Sequence, residues 1–327
     1  MKHIIKEFVL MIVLHRIKLR ETLLHKKNKC KKLFMDSVFQ EKGENMNKIL
    51  KKTQLSAEVF EMEVEAPLIA RERKAGQFIV YQLGSDYDER IPLTIADADP
   101  EKGTITLLFQ TVGESTLKLS RLNEGDSIAN LLGPLGKPTD IKKYGKVVIV
   151  GGGIGVAPAY PIAQAMKAAG NEVRVITGAR NKDLLIFQDR MKAIDPDYIV
   201  VTDDGSEGRK GLVTEPLKEL CETWKPDLVV AIGPGIMMKF CALTTKPYGI
   251  HTLVSLNTIM IDGTGMCGGC RVVVDGQMKF VCVEGPEFDG HLVDWDNLME
   301  RQRTFKPREM ERNHKCRMEM GLEDLKR

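Results

Sequence analysis

A chain of 327 residues, 43% hydrophobic and 28% charged, can bury the cores of two or three domains. Of its seven cysteines three fall in one short motif and four are scattered, which does not read as a disulfide framework and points to a soluble, cytoplasmic protein. The net charge of +3 is no argument for nucleic acid, because residues 1–45 hold 11 Lys or Arg against 5 Asp or Glu and leave residues 46–327 at −3.

Phe8 to Leu14 is an apolar run of seven residues, too short to cross a bilayer, and no small-residue cleavage site follows it. Lys42, Gly43 and Glu44 ahead of Met46 can be encoded by a purine-rich ribosome-binding sequence. Translation is therefore expected to begin at Met46, with residues 1–45 a non-native or disordered extension.

From Met46 to about Thr139, short β-rich runs alternate with turn residues: Ala57 to Glu65, Gly76 to Leu83 and Gly103 to Gln110. This pattern predicts a small antiparallel barrel. Two segments in it look chemical, Arg90 to Thr94 and Thr111 to Thr116, the second leading into a helical stretch from Leu117 to Leu122. A Gly-x-Ser-Thr turn at Gly113, Ser115 and Thr116 presents free backbone N–H groups and hydroxyls suited to a pyrophosphate, and an arginine nearby adds a charge-assisted contact. Each also reads as ordinary, Ser115 as a helix cap and Arg90 as a surface charge.

Residues 146 to about 256 alternate strands and helices. Val147 to Val150, Val173 to Thr177, Tyr198 to Thr202, Leu228 to Ile232 and Thr252 to Leu256 are strand candidates, and a helix runs through Ala169. This is the pattern of a parallel, doubly wound α/β sheet. Gly151 to Gly155 leave the first strand in a turn that suits a dinucleotide, although the spacing is not G-x-G-x-x-G. Arg180 after the second strand would lie near an adenosine ribose or be a solvated loop charge. Gly233, Pro234 and Met237 after the fourth would lie near a nicotinamide.

Asp262, Cys267, Cys270 and Cys282 follow the C-x4-C-x2-C...C spacing of a [2Fe-2S] site with Asp in the first place. The glycines between them leave room for backbone N–H groups to approach sulfur. Zinc would need a fourth ligand, and the nearest downstream candidate is His291. Asp262 also reads as a turn former ahead of Gly263. The tail from about Arg301 lacks a clear apolar stripe and reads as a solvated helix or disordered end rather than a segment that docks a larger partner subunit.

Barrel, nucleotide sheet and cluster motif, in that order, resemble the ferredoxin-NADP reductase superfamily in its dihydroorotate dehydrogenase electron-transfer branch, over nearly all of residues 46–300. The stretches 90–97, 151–158, 203–206, 232–238 and 285–294 are similar to the small subunits of NADH-dependent reduced ferredoxin:NADP oxidoreductases, also called sulfide dehydrogenase beta subunits.

The resemblance implies an FAD-binding β-barrel at 46–142, an NAD(P)-binding α/β domain at 143–253, a small [2Fe-2S]-binding domain at 254–300 and a charged tail at 301–327. FAD would be held by Arg90, Ile91, Pro92, Leu93 and Thr94, by Leu108, Phe109 and Gln110, and by Gly113, Ser115 and Thr116. NAD(H) would meet Gly152, Gly153, Gly155 and Arg180, with Gly233, Pro234 and Met237 beside the nicotinamide. Thr94 and Met237 would flank the reacting rings as catalytic residues, and Asp262, Cys267, Cys270 and Cys282 would be the metal ligands. Ile232 stands where the superfamily usually has Cys, so no thiol assists there.

The implied function is electron transfer between NAD(H), FAD and the cluster, with the flavin converting a two-electron donor into one-electron steps. A larger subunit with flavin and [4Fe-4S] clusters would complete an electron-bifurcating ferredoxin:NADP oxidoreductase, reaching ferredoxin through the complex, without nucleic acid or membrane partners. The alternatives are a dihydroorotate dehydrogenase B electron-transfer subunit, which a fourth cysteine would favour, a sulfide or polysulfide reductase subunit, and a zinc-stabilised interaction module.

Overall fold

In the computed structural model, residues 47–84 and 88–322 are described, and the expected extension at 1–45 lies outside them. The first layer comprises β1 (Ile49–Gln54), β2 (Val59–Glu65), α1 (Pro67–Glu72), β3 (Phe78–Gln82), β4 (Ile91–Asp99), β5 (Thr104–Gln110), α2 (Glu114–Leu119) and β6 (Asn130–Leu135). Its six strands pair antiparallel in the order β1-β2-β5-β4-β3-β6. β4 changes partner midway: Ile91 to Thr94 pair with β3, whereas Ile95 to Asp99 pair with β5 across a register break. Such a break bends the strand and curls the sheet. An antiparallel bridge from Lys48 to Ser127 draws the beginning of β1 towards the segment ahead of β6. Ile79, Tyr81, Ile95, Ile105, Leu107 and Phe109 fill the space inside.

The second layer is built from β7 (Lys146–Gly152), α3 (Val156–Ala168), β8 (Glu172–Ala179), α4 (Gln188–Ile194), β9 (Ile199–Thr202), β10 (Arg209–Lys210), α5 (Thr214–Thr223), β11 (Leu228–Ile232), α6 (Gly235–Thr245) and β12 (His251–Ser255). These strands run parallel in the order β10-β9-β8-β7-β11-β12. Helices cover both faces, which is why β7 and β11 are continuous apolar runs. Val148 and Val150 pack in one cluster with residues of α5 and α6, while Val147 and Ile149 pack in another with residues of α3 and α4. Truncating fully buried Ile149 to Ala would cost about 2–5 kcal/mol. Chain order reverses between β7 and β11, so their carboxyl ends open a crevice.

The C-terminal part holds β13 (Arg271–Val274), β14 (Gln277–Phe280), α7 (Val281–Glu284), β15 (Glu287–Asp289), α8 (Trp295–Arg303) and α9 (Lys306–Glu319). β15 pairs antiparallel with β12 and so completes the nucleotide sheet as its seventh strand. Asp294 caps α8 by accepting the Asn297 N–H at 3.0 Å.

The tail is a mostly exposed helix that is also tethered to its own chain: Arg312 pairs with Glu89 and Glu114, and Cys316 is buried. Charge rather than an apolar stripe attaches it, so hydrophobic periodicity carried no signal. Among the described residues no helix is long and apolar enough to cross a membrane.

Candidate functional site

A cavity of about 1130 Å³ lies between the antiparallel layer and the carboxyl edge of the parallel sheet. Ile91, Pro92, Leu93 and Thr94 of β4 line one wall with Leu108 and Gln110 of β5. The alternation of a strand explains why Phe109 does not join them. Its side chain is 1% exposed and stacks on Phe60 with ring centroids 5.9 Å apart, so it belongs to the core and not to the cavity.

Gly152, Gly153, Gly155 and Arg180 form the opposite wall together with Gly233, Pro234 and Met237. Gly152 is required by a close approach: a Cβ there would collide with Met237 Sδ and come within 3.3 Å of Pro234 Cδ. The bare backbone therefore lets the start of α6 settle onto the end of β7, which is how Met237 reaches the cavity.

Arg90, Gly113, Ser115 and Thr116 stand outside the cavity lining. The Thr116 hydroxyl donates to the Gly113 carbonyl at 3.1 Å and accepts the Gly113 N–H at 3.2 Å, closing the turn on itself. Ser115 Oγ donates to Glu89 Oε2 at 2.6 Å. Both hydroxyls thus serve the protein. Burial opposes it, yet the hydrogen bonds and charges of Lys118 and Arg312 leave the neighbouring Glu114 below its ordinary range.

The structure adds wall residues that motif reading passed over: Asp203 beyond β9, Asn257, Thr258 and Met260 beyond β12, Pro286 and Lys306. The Thr258 hydroxyl is buried without a hydrogen-bond partner, the mark of a group that meets a ligand. An apolar cavity with few polar groups, an orphaned hydroxyl and bare glycine backbone fits stacked flavin and nicotinamide nucleotides. Asp203 and Pro286 lie in stretches 203–206 and 285–294, which carry the family resemblance but no site residue by motif. The loop at 257–260 offered no local signal at all.

Met260 carries the cavity wall to within two residues of Asp262, where the cluster motif begins. Asp262 Oδ1 accepts the Thr264 N–H at 2.8 Å and Oδ2 accepts the Cys267 N–H at 2.5 Å. Those bonds, the Thr264 one foremost, hold the carboxyl below the usual carboxylate range. Cys270 and Cys282 are buried with their sulfurs 3.2 Å apart. Burial, then the hydrogen bond and charge of Cys270, pushes the Cys282 thiol up. Gly265, at φ +87°, keeps the intervening loop tight against Val283. Arg301 Nη2 ties α8 to the loop through the Gly269 carbonyl at 3.1 Å.

Among the described residues no three His, Cys, Asp or Glu side chains converge on one point as a mononuclear metal would require. Cys270 and Cys282 meet sulfur to sulfur and Asp262 accepts the Cys267 N–H, and the four residues match in number the protein ligands of a two-iron cluster. Backbone N–H groups of Gly269 and Cys282 point at the sulfurs of Cys267 and Cys270, both at 3.4 Å. His291, the candidate fourth zinc ligand, hydrogen bonds Thr245 Oγ1 at 3.0 Å. The residues fit an iron-sulfur cluster better than zinc.

Residues 257–294 match the iron-sulfur cluster binding domain of dihydroorotate dehydrogenase B, and residues 149–242 match the oxidoreductase NAD-binding domain. The chain is 48% identical over 267 residues to the dihydroorotate dehydrogenase B (NAD(+)) electron transfer subunit homolog of Thermotoga maritima, covering 82% of this chain and 94% of that protein. The chain belongs to the family of dihydroorotate dehydrogenase B electron transfer subunits and their homologues. The electron transfer subunit of Desulforamulus reducens is 34% identical, with 76% of this chain and 97% of that one covered. A structure of the NADH-dependent reduced ferredoxin-NADP oxidoreductase, solved for insight into flavin-based electron bifurcation, superposes with a TM-score of 0.79 at 45% identity, covering 84% of this chain and 98% of that chain.

As a member of this family, the chain is an electron transfer subunit of a ferredoxin-NADP reductase-like oxidoreductase. It carries an oxidoreductase NAD-binding domain and an iron-sulfur cluster binding domain. Its fold is that of ferredoxin-NADP reductase with a C-terminal cluster domain.

Proposed function

We propose that this subunit passes electrons between NAD(H), FAD and a [2Fe-2S] cluster within an electron-bifurcating ferredoxin:NADP oxidoreductase of the cytoplasm. The observation that carries this reading is the continuity of the cavity with the cluster loop through Met260 and Asp262, which sets both cofactor sites on one stretch of chain. Similarity to the structure studied for bifurcation supports the complex, and so does Asp262 in place of a first cysteine.

When bound, FAD exchanges a hydride with the nicotinamide and single electrons with the cluster. The chain's own residues supply the geometry. Thr94 and Met237 face the cavity from opposite walls, where they would position the flavin and nicotinamide rings, and the apolar lining keeps water from the exchange. Gly152, Gly153 and Gly155 would offer backbone N–H groups to the dinucleotide, and Asp262, Cys267, Cys270 and Cys282 would hold the cluster.

In this reading 46–142 is a flavin barrel, 143–253 a doubly wound nucleotide domain and 254–300 the cluster domain. A larger subunit carrying a second flavin and [4Fe-4S] clusters completes the enzyme. Copurification with that subunit and assay of NADPH oxidation coupled to NAD+ and ferredoxin reduction tests it. Coupled turnover is expected, and a complex that instead oxidises dihydroorotate with NAD+ would establish the second reading, which the names of the relatives favour.

A further inference from the structure

Helix α9 connects two corners of the molecule. Its first residue, Lys306, lies on the cavity wall, and the preceding α8 is fastened on that side. Gln302 Nε2 donates to Asn257 at 3.0 Å, and Lys239 of α6 pairs with Asp296 at 2.7 Å. Less than two helical turns further on, Arg312 has reached the antiparallel layer, where Nη1 meets Glu89 Oε1 and Nε meets Glu114 Oε2, both at 2.8 Å.

That corner is electrically awkward for a flavin nucleotide. Glu89 and Glu114 flank Arg90 and Ser115, the residues expected at the flavin pyrophosphate, and two carboxylates there would repel an anion. Lys118 compensates Glu114 from within α2 at 2.8 Å. Arg312 is the cation that spans both carboxylates, while Ser115 holds Glu89 from the other side at 2.6 Å. The tail thus joins the 88–90 segment to the 113–116 turn.

We infer that Arg312 is a positioning residue for FAD, and that α9 is a strap which neutralises the Glu89–Glu114 corner and holds the flavin pyrophosphate site in shape. This rests on the reading that FAD lies in the cavity and extends past Val112, a lining residue, to Arg90 and the 113–116 turn, with Arg90 rather than the Ser115 hydroxyl meeting its pyrophosphate.

The test uses the full chain copurified with its larger subunit, following FAD release after dilution by the rise in flavin fluorescence. Arg312→Ala is expected to release FAD about five-fold faster, the size of effect that an exposed charge network sustains. Arg312→Lys should restore most of the retention, and iron content should not change. In a Glu89→Gln, Glu114→Gln background, Arg312→Ala should have no further effect, because no charge is left to compensate. Added salt should speed release from the wild type but not from Arg312→Ala. Equal release by wild type and Arg312→Ala, or an undiminished five-fold effect in the double-Gln background, overturns the strap. If wild type holds FAD and Arg90→Ala loses it while Arg312→Ala does not, only the strap falls. A wild-type complex free of FAD removes the strap together with the reading beneath it.

Discussion

Asp262 Oδ2 accepts the backbone N–H of Cys267 at 2.5 Å, so the carboxylate is tied to the backbone of the first cysteine in the cluster motif. A carboxylate carries the same formal charge as the thiolate it replaces, but oxygen is a harder and less covalent donor to iron. The hydrogen bonds that keep Asp262 below the usual carboxylate range also keep it anionic at neutral pH, as a ligand must be.

Asp262→Ala is therefore expected to lose iron or hold it labile, and Asp262→Cys to keep a [2Fe-2S] cluster with an altered spectrum and potential. Iron analysis and EPR check this. An unchanged signal and iron content in Asp262→Ala would show that the carboxylate serves only the turn.

Arg90 is exposed and outside the cavity lining, beside the Glu89 and Ser115 pair. Arg90→Ala should loosen FAD by about ten-fold, the value of one charge-assisted hydrogen bond, while sparing iron. The FAD-to-iron ratio after gel filtration reads it, and a normal ratio would remove the arginine from the flavin site.

NADH should reduce the flavin faster than NADPH. Asp203 lines the cavity near Arg180, and a carboxylate there disfavours the additional phosphate of NADPH. Stopped-flow absorbance with each nucleotide decides the matter, a clear NADPH preference counting against the assignment.

Glu287 links pH to stability. It accepts the Thr139 hydroxyl at 2.6 Å, and burial raises its carboxyl to about 7, partly offset by that bond. The folded state favours the neutral form, so this stabilisation is complete below the unfolded value near 4.5 and is lost as pH rises through about 7. Its upper size is about 3 kcal/mol. Denaturant midpoints at pH 5 and pH 8 should differ in wild type and converge in Glu287→Gln. An equal pH dependence in the two proteins would refute the role of this carboxyl.

Much of the site was legible because it lies on short local patterns. The glycine turn after β7 and the spacing from Asp262 to Cys282 are sequence features first, and the fold places the turn on the cavity wall and the start of the motif two residues beyond Met260 on that wall. What sequence could not supply was the side chosen by a strand or the partner of a hydroxyl. Residues 108 to 110 read as one flavin-contacting run, but only a folded sheet decides that Phe109 turns inward. Ser115 looked free for phosphate until Glu89, 26 residues earlier, was brought to it. Arg312 meets Glu89 across 223 residues, a separation that no local pattern encodes.

The strand β15 sits within the cluster-binding segment yet hydrogen bonds to β12 in the nucleotide sheet, with Leu253, Val254 and Ser255 facing Asp289, Phe288 and Glu287. The boundary near residue 253 therefore cuts through a sheet. A nucleotide domain expressed alone to Leu256, with β12 whole, would carry a bare β12 edge able to recruit another chain, and it should self-associate. The same ladder fastens the end of the cluster segment to the sheet. Electron transfer would then proceed at a separation set when the chain folds, leaving larger motions to the subunit across the interface.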